Sequence, residues 1–489
     1  AAARAAGRDL AGRPLRDLDV ASLVALARLE LLAASSSAAT ADLPRLAEFD
    51  AALQAQFDRM LRQWSGVPPT ASGVPFLFLA VRRDLLATLV AVRLRRLPGP
   101  AGVAQCFGLL LAAEALGSTA RTLPGFVVPD LGTVRAHLVP HAGLLVAWLP
   151  APSGSFVFGL TADDAFAVAL PSDGGLRGKV RALAKVAQDE PTPGWQAALA
   201  AAAAPVVAWS LPEPVRRRLE AHDDLVVVGR DLTTGIPFEA LPVGPDGAEL
   251  GTVKAIWSVP SMALACHYAA RSPASRGHGV AVLAATQVAA REQERFGVAP
   301  IAAQPERWAA WAGGAADGGI VLAPASADDL RSGPGADARV AVVLAHGIVV
   351  LEATRPSGLL LGPGAAGVGT FLPDDVVQAS DLVLLLVCRA ASGAPRRGED
   401  GGHHLGGALL QHGARNVVLA DRDLELHSSQ FWTGQFLQSY RAGASVAQAA
   451  RDARRAVRAR PEWRHPWFHA SLRVEGLGHT TLPAGSRSR

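Results

Sequence analysis

The chain has 489 residues, 50% of them hydrophobic and 18% charged, with a formal net charge of +4. That balance excludes a disordered chain, and the length asks for two or three domains rather than one core. A charge this small, with no dense Lys/Arg run before the final turns, gives no basis for direct binding to nucleic acid, and no apolar run is long enough to span a membrane.

In chain order, residues 1–130 read as an all-helical N-terminal region. Apolar residues recur at helical spacing over 19–33, 43–63, 77–96 and 102–118, broken by the Pro/Gly-rich stretches SGVPPTASGVP and RLPGPAG. The opening residues carry Asp9 and several arginines and lack a continuous apolar segment, so no signal peptide is expected. No repeat of fixed period stands out, though a degenerate helical-repeat array fits the pattern.

The texture changes over 131–220. Short β-type runs at 143–149, 154–160 and 164–170 predict an antiparallel meander, followed by a helix at 176–188 and an Ala-rich helical segment, WQAALAAAAAPVVAW.

From 221 to 489, strand and helix patterns alternate. Strands are predicted at 225–229, 253–259, 279–285, 319–323, 340–345, 382–387 and 416–420, and helices at 261–270, 303–312, 374–379, 404–412 and 425–441. Ser445 and Gln448 stand at capping-box spacing and open another helix, and 467–476 is expected to be a closing strand. Several of these strands are apolar throughout, as in a sheet covered on both faces. The expected fold class is therefore α/β, a mostly parallel sheet flanked by helices on both faces and preceded by the all-helical region.

Two of the apolar strands end in reactive side chains, VAVVLA in His346 and LVLLLV in Cys388. Ligands bind beyond the carboxyl ends of strands in open α/β sheets. If the two strands are parallel neighbours, imidazole and thiol leave one edge side by side, as nucleophilic catalysis by a thiol requires. Gly347 lets the backbone come close to a substrate carbonyl and donate its N–H to an oxyanion, and the N–H of Cys388 is a second donor. Arg389 adds positive charge beside the thiol. Taken alone, each residue reads as structural, a packed thiol and a histidine after a strand; the matching pair is what favours chemistry. Cys106 and Cys266 sit inside helical patterns and read as core. With no CxxC pair, neither a disulfide framework nor a metal site is suggested, no cofactor is expected, and reduced thiols point to the cytoplasm. The excess of Arg over Lys and the abundance of Ala and Gly suggest a GC-rich bacterial genome.

The region from about 140 to 478 resembles the CHAT domain, a caspase-like cysteine peptidase module related to caspases, separases and gingipains. The resemblance rests on GIPFEALP (235–242), VPSMALA (259–265), VVLAHG with His346, RPSGLLLG (355–362), DLVLLLVCRAASG with Cys388, LGGALLQHGARNVVLA (405–420), YRAGASVAQAARDARRAV (440–457) and HPWFHASLRVEG (465–476), in the family's order. It implies Cys388 as nucleophile, His346 as base or its partner, and the Gly347 and Cys388 amides as the oxyanion hole. It further implies a protein substrate, a helical N-terminal region that takes an activating protein partner, and a role in stress or antiphage defence. Val387, Arg389 and DRDLEL (421–426) depart from the family pattern. They motivate the alternative of an inactive scaffold that binds protein partners.

Asp421 and Asp423 follow an apolar strand at the same edge. Two carboxylates there suit a basic P1 side chain, while the competing reading makes them caps of the following helix. No metal site is assigned to His403 and His404, and the helix from 451 to 460 reads as a solvated basic face.

Overall fold

The computed structural model describes residues 14, 15, 18–36, 43–65, 76–115, 123, 125–139, 143–151, 154–172, 175–188, 191–229, 235–244, 247–271, 277, 279–313, 318–348, 358–364, 369–390, 405–420 and 422–482. The strands, in chain order, are β1 Gly143–Leu149, β2 Ser155–Leu160, β3 Ala165–Leu170, β4 Asp224–Val228, β5 Ala255–Val259, β6 Val280–Ala284, β7 Ile320–Leu322, β8 Val340–Leu344, β9 His346–Ile348, β10 Gly358–Leu360, β11 Thr370–Phe371, β12 Leu382–Leu386, β13 Asn416–Ala420 and β14 Leu472–Gly476. An 11-stranded sheet runs β3-β2-β1-β4-β5-β14-β13-β12-β8-β6-β7, and β11-β10-β9 form a small second sheet. In the large sheet, neighbours are antiparallel at β2/β3, β1/β2 and β13/β14 and parallel elsewhere. The predicted meander therefore continues the main sheet through the β1/β4 pair.

The apolar strands are buried on both faces because consecutive side chains enter different cores. Val342, Leu344, Leu384 and Leu386 join one cluster, while Val343, Leu385 and Val387 join another. The first cluster also takes in the N-terminal helices Val20–Ser36, Leu43–Ser65, Phe76–Arg96 and Pro100–Glu114, and the helices Leu426–Arg441 and Val446–Arg458. The second is covered by the helices Met262–Ala269 and Leu405–Gln411 and by β10 and β11. A third core lies under the helices Leu176–Gln188, Trp195–Ser210 and Glu213–Glu220, which pack on β1 and β4. Glu114 joins the helical region to the sheet domain. It is buried, and its Oε2 accepts from Ser261 Oγ and from the Ala263 N–H, both at 2.9 Å, at the start of the helix Met262–Ala269.

The expected α/β architecture holds, with local corrections. The helix expected over 374–379 is a single 3-10 turn, Pro373–Asp375, because the Asp375 carboxylate turns back onto the Leu372 N–H at 2.8 Å. The closing strand is only Leu472–Gly476. Before it, Pro466 opens a short helix whose Trp467 N–H is taken by His465 Nδ1 at 3.1 Å. The strand expected from 253 starts at Ala255, after the short helix Leu250–Val253. The helices Leu131–Leu138 and Glu213–Glu220 were not anticipated. Among the described residues, no single helix is long and apolar enough to cross a membrane. The pair Trp195–Ser210 and Glu213–Glu220 is bent by 95° at its break.

Candidate active site

Strands β8 and β12 are built alike: VAVVL and LVLLL bury every residue. They pair in parallel from Leu382↔Val340 to Leu386↔Leu344. In each, the second residue past the last pair is the candidate site residue, His346 and Cys388. The register thus carries both chains to the same carboxyl edge of the sheet. Gly347 shows how close the two chains come. A Cβ there would lie 1.8 Å from the Cys388 carbonyl oxygen and 3.2 Å from Val387 Cγ1. Glycine is needed at 347 for this approach alone.

His346 is half-buried and begins β9, which pairs with β10 through His346↔Leu360 and Gly347↔Leu359. Its Nε2 lies 2.6 Å from the Ala299 carbonyl. A carbonyl only accepts, so Nε2 carries the hydrogen, and in the neutral ring Nδ1 holds the lone pair.

Cys388 is half-buried, and its Sγ accepts from the Leu424 N–H at 3.4 Å. Burial pushes the thiol above its ordinary range, the Leu424 N–H opposes that, Asp423 adds to it and Arg389 opposes it. Arg389 itself has φ 54°, a left-handed conformation in a residue with a Cβ, and its N–H bonds to the Arg422 carbonyl at 3.0 Å. The turn swings its side chain onto Asp423, with Nε to Oδ1 at 2.9 Å and Nη2 to Oδ2 at 2.8 Å. The arginine expected to bias the thiol and the carboxylate expected to face substrate are thus engaged with each other.

Asp421 lies outside the described residues. The helix Leu426–Arg441 is capped by Glu425, which accepts from the N–H groups of His427 and Ser428, so Asp423 is not its cap. Buried Arg422 anchors the loop by donating to the carbonyls of Ala187 at 3.0 Å and Ala470 at 3.5 Å. Sequence reasoning missed the Ala299 carbonyl and the Leu424 N–H. Both are backbone groups, so no residue type marks them.

The CHAT domain family model matches residues 200–476, more than half of the chain. No curated protein matches by sequence. Among solved structures, the chain is similar to a chain of the Saccharomyces cerevisiae separase–securin complex, at 9% identity and a TM-score of 0.50, over 87% of this chain and 37% of that one. It is also similar to the Arg-specific cysteine proteinase gingipain R, at 9% identity and a TM-score of 0.38, over 57% of this chain and 69% of that one. A complex of Porphyromonas gingivalis RgpB pro- and mature domains matches at 11% identity and a TM-score of 0.38, over 63% and 78%. The likeness to the separase–securin chain is one of fold, and this chain spans little more than a third of that chain's length.

Proposed function

The chain belongs to the CHAT domain family, and on that premise we propose that it is a cysteine endopeptidase with Cys388 as nucleophile and His346 as base. The observation that carries this reading is the parallel register of β8 and β12, which aligns the two residues at one sheet edge. Burial keeps the thiol protonated near neutral pH, so attack calls for a base in the encounter rather than a resting thiolate.

His346 Nδ1 takes the Sγ proton as Sγ bonds to the substrate carbonyl carbon, and the amides of Gly347 and Cys388 donate to the oxygen as it becomes negative. The tetrahedral intermediate collapses, the C–N bond breaks, and the amine leaves with the proton from His346. Water then gives a proton to Nδ1 and adds to the thioester, releasing the acid and restoring the thiol. The Ala299 carbonyl supports this by holding Nε2–H, the orienting part that a third side chain plays in a triad.

The substrate is a protein. Asp423, with Asp421, is assigned to a basic P1 side chain, which would replace the Arg389 guanidinium on the same carboxylate. The N-terminal helices are the surface for an activating protein partner, and the system is a bacterial defence or stress response. The test is to incubate wild type and Cys388→Ala with the products of neighbouring genes and with peptides bearing Arg, Asp or Met at P1. Wild type alone should cleave, favouring Arg. Cleavage that persists in the variant defeats the dyad, and equal cleavage of the three peptides defeats the Asp423 assignment.

A further inference from the structure

The connection from β13 to the helix Leu426–Arg441 hangs on one side chain. Across residues 422–427, Arg422 alone is buried, at 3% exposed. Its guanidinium donates from Nη1 to the Ala187 carbonyl at 3.0 Å and from Nη2 to the Ala470 carbonyl at 3.5 Å. Ala187 lies in the last turn of the helix Leu176–Gln188, and Ala470 follows the short helix Pro466–His469, just before β14. One side chain thus ties the connection to two segments that are distant in sequence. Ala187 also lies upstream of the segment 200–476 that the family model matches.

Burying a guanidinium costs free energy that its hydrogen bonds must offset, and well-packed apolar side chains often serve stability as well as buried charges do. What an arginine supplies instead is direction, because its planar fork fixes where the N–H groups point. Directed bonds set where the backbone at 422 lies, and that backbone bears on the turn of the proposed nucleophile.

Two contacts make the connection. The Arg422 carbonyl accepts from the N–H of Arg389, the residue next after Cys388, at 3.0 Å, where the chain holds φ 54°. Two residues further on, the Leu424 N–H donates to Cys388 Sγ at 3.4 Å. The loop therefore grips Cys388 both by the peptide that follows it and by its sulfur. The Leu424 N–H favours the sulfur as an anion, against the effect of burial.

We propose that Arg422 is a positioning residue for the Cys388 thiol. Its bonds to Ala187 and Ala470 hold the 422–424 backbone where the Arg422 carbonyl and the Leu424 N–H set the sulfur. The consequence for turnover rests on the peptidase reading; the placement of the sulfur does not.

The test uses the full chain. Arg422→Met keeps the length of the side chain and removes its donors, while Arg422→Lys keeps the charge without the fork. Circular dichroism checks that each is folded. In Arg422→Met, hydrogen exchange over 421–426 should quicken at least about fivefold while the helix Val446–Arg458 is unchanged. The rate of Cys388 alkylation by iodoacetamide, read by mass spectrometry, should change at least about threefold. On the peptide that wild type cleaves best, kcat should fall roughly tenfold with KM within about twofold, and Arg422→Lys should recover part of the loss. Exchange or alkylation unchanged in folded Arg422→Met overturns the proposal, and so does faster exchange in both regions, which would mark general loosening. Where Arg422→Met does not fold, Arg422→Lys is judged against wild type by the same readings. Altered exchange and alkylation with kcat unchanged overturns the consequence for turnover. If wild type cleaves no peptide, the peptidase reading fails, and exchange and alkylation alone decide the placement.

Discussion

Gly347 lies against the carbonyl of Cys388 so closely that a Cβ at 347 would fall 1.8 Å from that oxygen. The obstacle is backbone, which cannot swing aside as a flexible side chain would. Gly347→Ala should therefore force β9 away from the turn after β12. The expected cost is about 3 kcal/mol, at the upper end for overpacking, with peptide cleavage lost even where the chain stays folded. Urea unfolding and peptide hydrolysis, measured together, check both; a variant of full stability and activity would contradict this contact.

Burial chiefly raises the Cys388 pKa and the Leu424 N–H opposes it, and the Arg389–Asp423 pair adds two lesser, opposed charges. Asp423 raises the Cys388 pKa and Arg389 lowers it. Asp423→Asn should speed alkylation of Cys388 near pH 7, and Arg389→Gln should slow it. Both partners are more than half exposed, 54% and 57%, so each change should shift stability by less than about 1 kcal/mol. In wild type, alkylation should keep accelerating with pH beyond the range of an ordinary thiol, because burial favours the protonated form.

Arg389 also tests the backbone. At φ 54°, a β-branched residue should be strained where glycine is at ease. Arg389→Val should fall roughly 1–2 kcal/mol below Arg389→Gly in denaturant titration. Equal stabilities would mean that the left-handed turn is not held.

His469 is buried, and burial pushes its pKa down to about 3, with a hydrogen bond to the Arg464 carbonyl opposing. The unfolded chain binds a proton at this residue below the ordinary histidine value, and the folded chain does not until about pH 3. Its contribution is therefore full above about pH 6.5 and declines as pH falls towards 3. Thermal melts over pH 3–7 should show a steeper acid loss for wild type than for His469→Gln. Parallel profiles would contradict the assignment.

Glu114 carries the link between the N-terminal helices and the sheet domain. Glu114→Ala leaves the Ser261 hydroxyl and the Ala263 N–H without this acceptor inside the core. A loss of about 2–4 kcal/mol is expected for two such bonds. Because one apolar cluster spans both regions, fluorescence and circular dichroism should report a single shared transition. Separate melting of the helical region would break that expectation.

Much of the architecture was legible in the residues. VAVVL, LVLLL and NVVLA are apolar throughout because both faces of the sheet are covered, and that pattern is visible without coordinates. The helix opened by Ser445 was legible because a capping box closes within four residues, as the reciprocal Ser445 and Gln448 bonds show. By contrast, 374–379 failed because a local side-chain bond from Asp375 overrode the helical pattern. The stretch 467–476 failed because Pro466 and His465 start a helix inside an apolar run.

At the site the division is sharper. The sequence by itself singled out His346 and Cys388 as candidates at the ends of buried strands, because strand burial and side-chain type are both written in the residues. Only the tertiary structure decided that β8 and β12 are neighbours in that register, that Gly347 touches the Cys388 carbonyl, and that Arg389 turns to Asp423. It alone brought the Ala299 carbonyl to His346 and the Leu424 N–H to Cys388. These contacts join distant segments through backbone groups that every residue carries, so no pattern of side chains announces them; the packing of the sheet edge selects them.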